Sequence, residues 1–348
     1  MGRYVDGLVG ALDAADADLA VVCQRSDVDH YGHLAPSAQV VAAPVAVAHR
    51  PARLAWEQTG LPLVANGVGA QVVHSPHYTL PLRAGRPVVV TVHDVTFFTE
   101  PAVHTSVKGT FFRSATRTAL RRGARVVVPS AATRSELVRV LDADPGRIDV
   151  ALHGVDPGVF HEPADSERQR VQGRLGLAGI PYIAFLGTLE PRKNVPALVR
   201  AWVAACEGRE RPPALVLAGG AGWDDDVALA VAAVPETLRL VRPGYLGGAA
   251  VLAYPSLGEG FGLPVLEAMS CGAPVLTTRR LSLPEVGGEA VAYCEPDEAG
   301  ITAGLVELLD DPQRREALGR AGHERARGFT WAASAQAHLE SYARAIVP

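Results

Sequence analysis

Short runs rich in β-branched residues alternate with longer amphipathic stretches along this chain, and the alternation starts twice. The pattern marks parallel βα units, because parallel strands buried on both faces read as apolar runs and each crossover needs a helix. In the first half, residues 19–23, 39–43, 72–74, 87–92, 125–129 and 148–150 predict strands. Residues 107–122 predict a helix, with Phe112, Ala115, Ala119 and Leu120 near helical spacing. Residues 130–141 predict another, with Thr133 and Glu136 as a capping-box pair near its start. The turn-rich His153-Gly154-Val155-Asp156-Pro157-Gly158 interrupts the pattern. It resumes with strands at 182–186, 214–218, 250–254 and 274–277, and helices at 195–206, 264–271, 301–309 and 331–346. At 348 residues the chain exceeds what one hydrophobic core usually sustains. The expected architecture is α/β, two Rossmann-like domains (1–155 and 156–328) facing a cleft. Residues 329–348 are expected to form a C-terminal helix packing back toward the first domain.

Composition narrows the function. A net charge of −4 with mixed signs offers no basic field for nucleic acid. Cys23, Cys206, Cys271 and Cys294 form no CxxC pair, so neither a disulfide framework nor a zinc site is indicated. The apolar run near 40–48 is too short to span a bilayer, and the first residues lack a signal-type stretch. A cytoplasmic location is expected. No G-x-x-x-x-G-K-[ST] and no strand-linked G-x-G-x-x-G occurs, against a P-loop or nicotinamide enzyme. Asp16-Ala-Asp18, Asp27-Val-Asp29 and Asp142-Ala-Asp144 fit D-x-D, but three scattered matches in an Asp-rich chain read as chance. Arg113, Arg117 and Arg121 recur every four residues on one helix, a solvated face or a contact for anionic lipid headgroups.

The stretch 254–274, YPSLGEGFGLPVLEAMSCGAP, carries the most chemistry. A strand ends at Tyr254, and Gly258, Gly260 and Gly262 follow. Pro264 suits the first turn of a helix that Gly272 closes. Backbone amides of such a loop, together with a helix N-terminus, make a diphosphate cradle. Glu259 sits in the loop and Glu267 is expected in the first helical turn. Two carboxylates aimed at a phosphate would repel it, so hydroxyls of a sugar and a ribose are the partners they suit. Alone, each would read as readily as a dipole complement or a solvated loop residue.

The E-x7-E spacing of Glu259 and Glu267, within this ordered string, resembles retaining glycosyltransferases of family 4 and their GT-B fold. The resemblance runs over nearly the whole chain. It implies that Glu259 faces the donor hexose and Glu267 the ribose, while the amides of Gly260, Phe261 and Gly262, with Leu263 beside them, meet sugar and phosphates. A second block, FLGTLEPRKN at 185–194, places Arg192 and Lys193 on a loop after a strand. By resemblance Lys193 is the family lysine. The usual arginine position holds Thr188, which passes that duty to Arg192. Both cations would stabilise a leaving nucleoside diphosphate with no metal required. His93 and Asp94 end a buried strand, and by resemblance His93 lies near donor sugar and acceptor. His74 ends the preceding strand similarly, and Ser130 reads as a cap.

The resemblance implies hexosyl transfer with retention, by front-face attack since no protein nucleophile is evident, onto a saccharide or glycolipid acceptor. GDP-mannose is the favoured donor and UDP-glucose the next, with peripheral contact at the inner membrane face. Two departures stand out. The family's first strand and Gly-Gly loop have no counterpart ahead of the helix starting at Gly2. The connection Gly244-Tyr245-Leu246-Gly247-Gly248-Ala249 is short where relatives carry a helix. A catalytically impaired scaffold that binds a nucleotide or partner, and a sugar-nucleotide epimerase of the same shape, are the competing readings.

Overall fold

The computed structural model describes residues 2–241 and 249–347, and the short connection at 244–248 lies outside them. The chain divides into two units, Met1–Pro101 with Thr105–Gly154 and Phe329–Pro348, and Val155–Gly328 with Ala102–His104.

The first unit runs α1 (Gly2–Ala14), β1 (Ala20–Cys23), α2 (Val28–Leu34), β2 (Gln39–Ala42), α3 (Arg50–Gly67), β3 (Val73–Ser75), β4 (Val88–Thr91), α4 (Thr96–Thr99), α5 (Ser106–Arg121), β5 (Arg125–Val128), α6 (Ala131–Leu141) and β6 (Ile148–Val150). The second runs α7 (Asp165–Arg174), β7 (Tyr182–Leu186), α8 (Val195–Cys206), β8 (Ala214–Ala218), α9 (Asp226–Ala232), β9 (Leu240–Val241), β10 (Val251–Tyr254), α10 (Leu263–Ser270), β11 (Val275–Thr278), α11 (Leu283–Gly287), β12 (Ala292–Cys294), α12 (Glu298–Asp310) and α13 (Pro312–Ala326). The chain then returns to the first unit with α14 (Trp331–Ile346).

In the first unit β3-β4-β5-β6 form one parallel sheet, and alternation sorts its side chains. Val90, Val126 and Val128 join Ala119 of α5 and Leu137 of α6. Val89 and Val127 instead meet Ala337, Tyr342 and Ala345 of α14. β1 and β2 pair separately, and among the described strands neither β1 nor β3 has a second neighbour. α1 packs Leu8 and Leu12 against α14 and Val9 against Val21 of β1.

In the second unit six parallel strands run in the order β12-β11-β10-β7-β8-β9. The order reverses between β7 and β10, where open α/β sheets bind ligands beyond their carboxyl ends.

Three local expectations need correction. Ser130 caps α6 as its reading as a cap expects, its hydroxyl accepting from the Thr133 amide at 3.0 Å, so Thr133 and Glu136 are not the capping pair. Glu136 pairs instead with Arg139, because its place is already in the second helical turn. α10 begins at Leu263, one residue before the proline, so Glu267 lies in its second turn. Finally, α3 has no counterpart among the predicted helices. Its only buried residue is Ala65 and Pro62 interrupts it, so no core-facing stripe marks it in the sequence.

Candidate functional site

The loops after β7 and β10 meet at the reversal point of the second sheet. After β7, Pro191–Lys193 form a 3-10 turn, and Asn194 takes a left-handed conformation (φ 59°) ahead of α8. An asparagine tolerates that region better than most residues. Its side-chain amide donates to the carbonyls of Pro255 (3.3 Å) and Pro296 (2.6 Å), tying together the loops after β7, β10 and β12. The Leu257 amide donates to the Arg192 carbonyl at 2.9 Å.

This turn holds Arg192 and Lys193 inside the protein, at 9% and 8% exposure. Glu259, at 7%, bridges them: Oε2 accepts from Arg192 Nη1 at 2.6 Å and Oε1 from Lys193 Nζ at 2.7 Å. Oε1 also accepts from the Ser256 hydroxyl (2.6 Å) and the Tyr254 hydroxyl (3.0 Å). Lys193 Nζ donates to Tyr254 in turn, and Arg192 reaches the carboxylate of Glu190 (2.7 Å) and the carbonyl of Gly258 (2.5 Å). Two cations and two carboxylates thus form one cluster with no net charge. Burial alone would raise the Glu259 carboxyl, but Arg192 and Lys193 hold it down to about 2. Burial lowers Lys193, against the pull of Glu259, and raises the Tyr254 hydroxyl, which the Glu259 charge raises further.

The glycine loop follows at once. Gly262 sits at φ 107°, where a side chain is strained, and an added Cβ would press on Leu283 at 3.0 Å. That conformation starts α10 and leaves Leu263 and Pro264 at its first turn. The Ser282 hydroxyl, sharing one proton, lies 2.8 Å from the carbonyls of both Glu259 and Phe261 and anchors the loop to the segment after β11. Thr277 and Thr278 of β11 donate to the carbonyls of Tyr254 and Ser256. Glu267 is buried on α10, one turn before Cys271, whose thiol is raised to about 11 by burial and by the Glu267 charge.

The structure therefore joins Arg192, Lys193 and Glu259 in one cluster of the second unit, with Gly260, Phe261, Gly262 and Leu263 on the loop that follows and Glu267 on α10 beyond it. Thr188 is exposed on the same β7 loop. Sequence reasoning assigned no role to Glu190, Tyr254, Ser256, Asn194 or Ser282. Tyr254 and Ser256 lie within the quoted motif, but their partners at positions 192 and 193 carry no local signal.

His93 and Asp94 belong to the first unit. His93 Nε2 lies 2.8 Å from the Pro76 carbonyl, which can only accept, so this nitrogen carries the proton. Burial and then His77 lower its pKa to about 4, leaving a neutral ring edge-on to Tyr4. Asp94 accepts from the amide (3.1 Å) and hydroxyl (2.8 Å) of Thr96. One of its carboxylate oxygens is thereby committed to holding the start of α4. Of the regularly spaced arginines, Arg113 donates to the Phe97 carbonyl and Arg117 lies over the Phe98 ring, while Arg121 is exposed.

Comparison with known proteins adds to this geometry. Residues 1–159 match the family model "Glycosyltransferase Family 4", and residues 180–311 match "Glycosyl transferases group 1". The chain is similar to O-antigen chain mannosyltransferase B of Escherichia coli, 33% identical over 274 residues, with 75% of this chain and 71% of the relative covered. It is also similar to D-inositol 3-phosphate glycosyltransferase of Kineococcus radiotolerans, 34% identical over 251 residues, with 64% and 57% covered, less than two thirds of that relative's length. The solved structure of Anabaena HepE in complex with UDP-glucose aligns with TM-score 0.77 at 18% identity, over 99% of this chain and 96% of that one. Identity that low speaks for the fold alone.

Proposed function

This chain belongs to glycosyltransferase family 4 with its GT-B fold, and from that premise we propose that it moves a hexose from a nucleotide sugar, with retention, onto a saccharide or lipid-linked acceptor. The observation that carries this reading is the convergence of Lys193, Arg192 and the Gly260–Leu263 backbone at the reversal point between β7 and β10. There the donor's diphosphate has two cations and the start of α10 to meet it.

In the transfer, the bond between the anomeric carbon and the phosphate oxygen breaks, and its electron pair leaves with the nucleoside diphosphate. The acceptor hydroxyl oxygen bonds to the same carbon from the same face, and its proton passes to the departing phosphate. Lys193 and Arg192 balance the charge that develops on the leaving group. Glu267 takes the ribose hydroxyls and Thr188 the loop edge beside the sugar. In the first unit, the neutral His93 offers Nδ1 as a hydrogen-bond acceptor on the acceptor side, with the second oxygen of Asp94 next to it.

Mannose from GDP-mannose is the favoured donor, supported by the similarity to the E. coli mannosyltransferase; UDP-glucose is the rival, the ligand in the Anabaena structure. Among the described residues no helix is long and apolar enough to cross a membrane. We place the reaction in the cytoplasm, at the inner membrane face where a lipid-linked acceptor would be met peripherally. Transfer assays with GDP-mannose and UDP-glucose, paired with thermal melts in GDP, UDP and ADP, test the assignment. GDP should stabilise most, since a ligand of the folded state raises its apparent stability. A preference for UDP overturns mannose, free altered donor without acceptor points to an epimerase, and binding without turnover points to an impaired scaffold.

A further inference from the structure

The four-charge cluster raises a question of electrostatics that the proposed donor site has to answer. Both cations expected to meet the diphosphate are already neutralised. Arg192 holds two carboxylates, Glu190 and Glu259, and Lys193 holds Glu259. With both cations already paired, a diphosphate brought against the cluster meets the repulsion of the Glu259 carboxylate along with the attraction of the cations it holds. Either the diphosphate binds elsewhere or a carboxylate leaves.

Glu259 is the carboxylate built to leave. Among the described residues it alone bridges both cations, so its departure exposes both at once, whereas the ion pair of Glu190 is with Arg192. It is flanked by Gly258 and Gly260, which place no side chain beside its own. The groups that hold it are side chains able to find other partners. The Ser256 hydroxyl also lies 3.1 Å from the Arg192 carbonyl and 3.4 Å from that of Gly258, and can turn to them when the carboxylate goes. The loop's anchor is separate, since Ser282 donates to the backbone carbonyls of Glu259 and Phe261 and not to the Glu259 side chain.

We propose that Glu259 is an internal counter-ion that fills the anion site of the resting protein and is exchanged for the donor's diphosphate on binding. This rests on the reading of the β7–β10 loops as the donor site and adds to it a competition within the chain. In the empty state the carboxylate keeps two buried cations satisfied and excludes stray anions. In the loaded state the diphosphate takes its place, and the displaced Glu259 side chain becomes available to the sugar hydroxyls beside the phosphates. Glu259 is thus a positioning residue in the resting state and meets the donor only after the exchange.

The exchange predicts an effect that a merely structural carboxylate would not have: removing its charge tightens anion binding. The probe is inorganic pyrophosphate, titrated calorimetrically into the wild-type chain, Glu259→Gln and Ser256→Ala, with thermal melts of each. Glu259→Gln should bind pyrophosphate at least tenfold more tightly than wild type, and sugar transfer should fall. Ser256→Ala keeps all four charges and only loosens the carboxylate, so it should tighten pyrophosphate binding a few-fold. A folded Glu259→Gln that binds pyrophosphate no more tightly than wild type overturns the exchange. If Glu259→Gln does not fold without an anion, Ser256→Ala decides, and unchanged or weaker binding there overturns the proposal equally. Absence of pyrophosphate binding in the wild type and both variants sinks the donor-site reading itself, which separates that failure from failure of the exchange.

Discussion

Acidification should unfold the first unit before the second, and the reason is a chain of hydrogen bonds buried between α1, β3, β4 and α14. His338 Nδ1 lies 2.7 Å from the Ser334 carbonyl, so it donates there and Nε2 must accept. The Tyr4 hydroxyl, 2.9 Å away, therefore donates to Nε2 and accepts from Thr91 Oγ1 at 2.7 Å. Thr91 accepts in turn from His74 Nε2 (2.8 Å), and His74 Nδ1 accepts from Tyr342 (2.8 Å). One carbonyl thus sets every proton in the chain, and both imidazoles are neutral. Burial holds His338 at about 4. Burial also lowers His74 and His153, and holds His77 and His93 at about 4. A base whose folded pKa lies below its unfolded value of about 6.5 leaves the unfolded chain binding more protons in between. Stability is then complete above about pH 6.5 and is lost as the pH falls toward about 4. At pH 5 the fully buried His338 alone costs about 2 kcal/mol. His77 and His93 keep some solvent contact and add less each, so the three together remove on the order of 4–6 kcal/mol. That rivals the whole stability of an ordinary domain, roughly 5–15 kcal/mol. The Glu259 carboxyl in the second unit, depressed to about 2, contributes stability that persists down to about pH 4.5 and is lost only below it. Hydrogen exchange read by mass spectrometry at pH 7.5 and 5, corrected for intrinsic rates, distinguishes the units. Peptides covering Thr91 and His338 should lose protection while those covering Val195–Cys206 keep it. His338→Gln should remove about a third to a half of the loss. Equal protection of the first unit at both pH values, or equal loss in both units, refutes the reasoning.

Two further outcomes follow from the second unit. Glu267→Ala should weaken GDP binding by roughly 1.5–3 kcal/mol, the scale of a hydrogen bond to a charged group; unchanged affinity by calorimetry would remove Glu267 from the ribose. Lys193→Ala should lower turnover strongly while EDTA leaves wild-type turnover largely intact, and full dependence on added manganese would contradict metal-free leaving-group stabilisation.

The division between what could be read along the chain and what could not follows the range of the interactions. β7, α8, β8 and α14 lie where the apolar pattern puts them, because a strand buried on both faces and a helix with one apolar face leave their period in the local residues. The glycine loop was legible for the same reason: Gly262, Pro264 and Gly272 each answer a backbone need within a few residues. The helix α3 left no such mark, since a helix that buries only Ala65 has no face for selection to keep apolar. The start of α10 was misplaced by one residue, because a left-handed glycine and a first-turn proline both suit a helix entry. Glu259 was recognised, but its partners were not. Its charge is met by Arg192 and Lys193, 67 and 66 positions away in the chain, and that meeting exists only because β7 and β10 pair directly in the sheet. Likewise nothing near Tyr4 announces His338; the two hydroxyl and imidazole groups share a proton only once α1 and α14 pack together. Backbone requirements are local and stay written in neighbouring residues, whereas charge compensation and buried hydrogen bonds are satisfied by whichever groups the packed elements bring within about 3 Å, and strand order and helix packing together decide which those are.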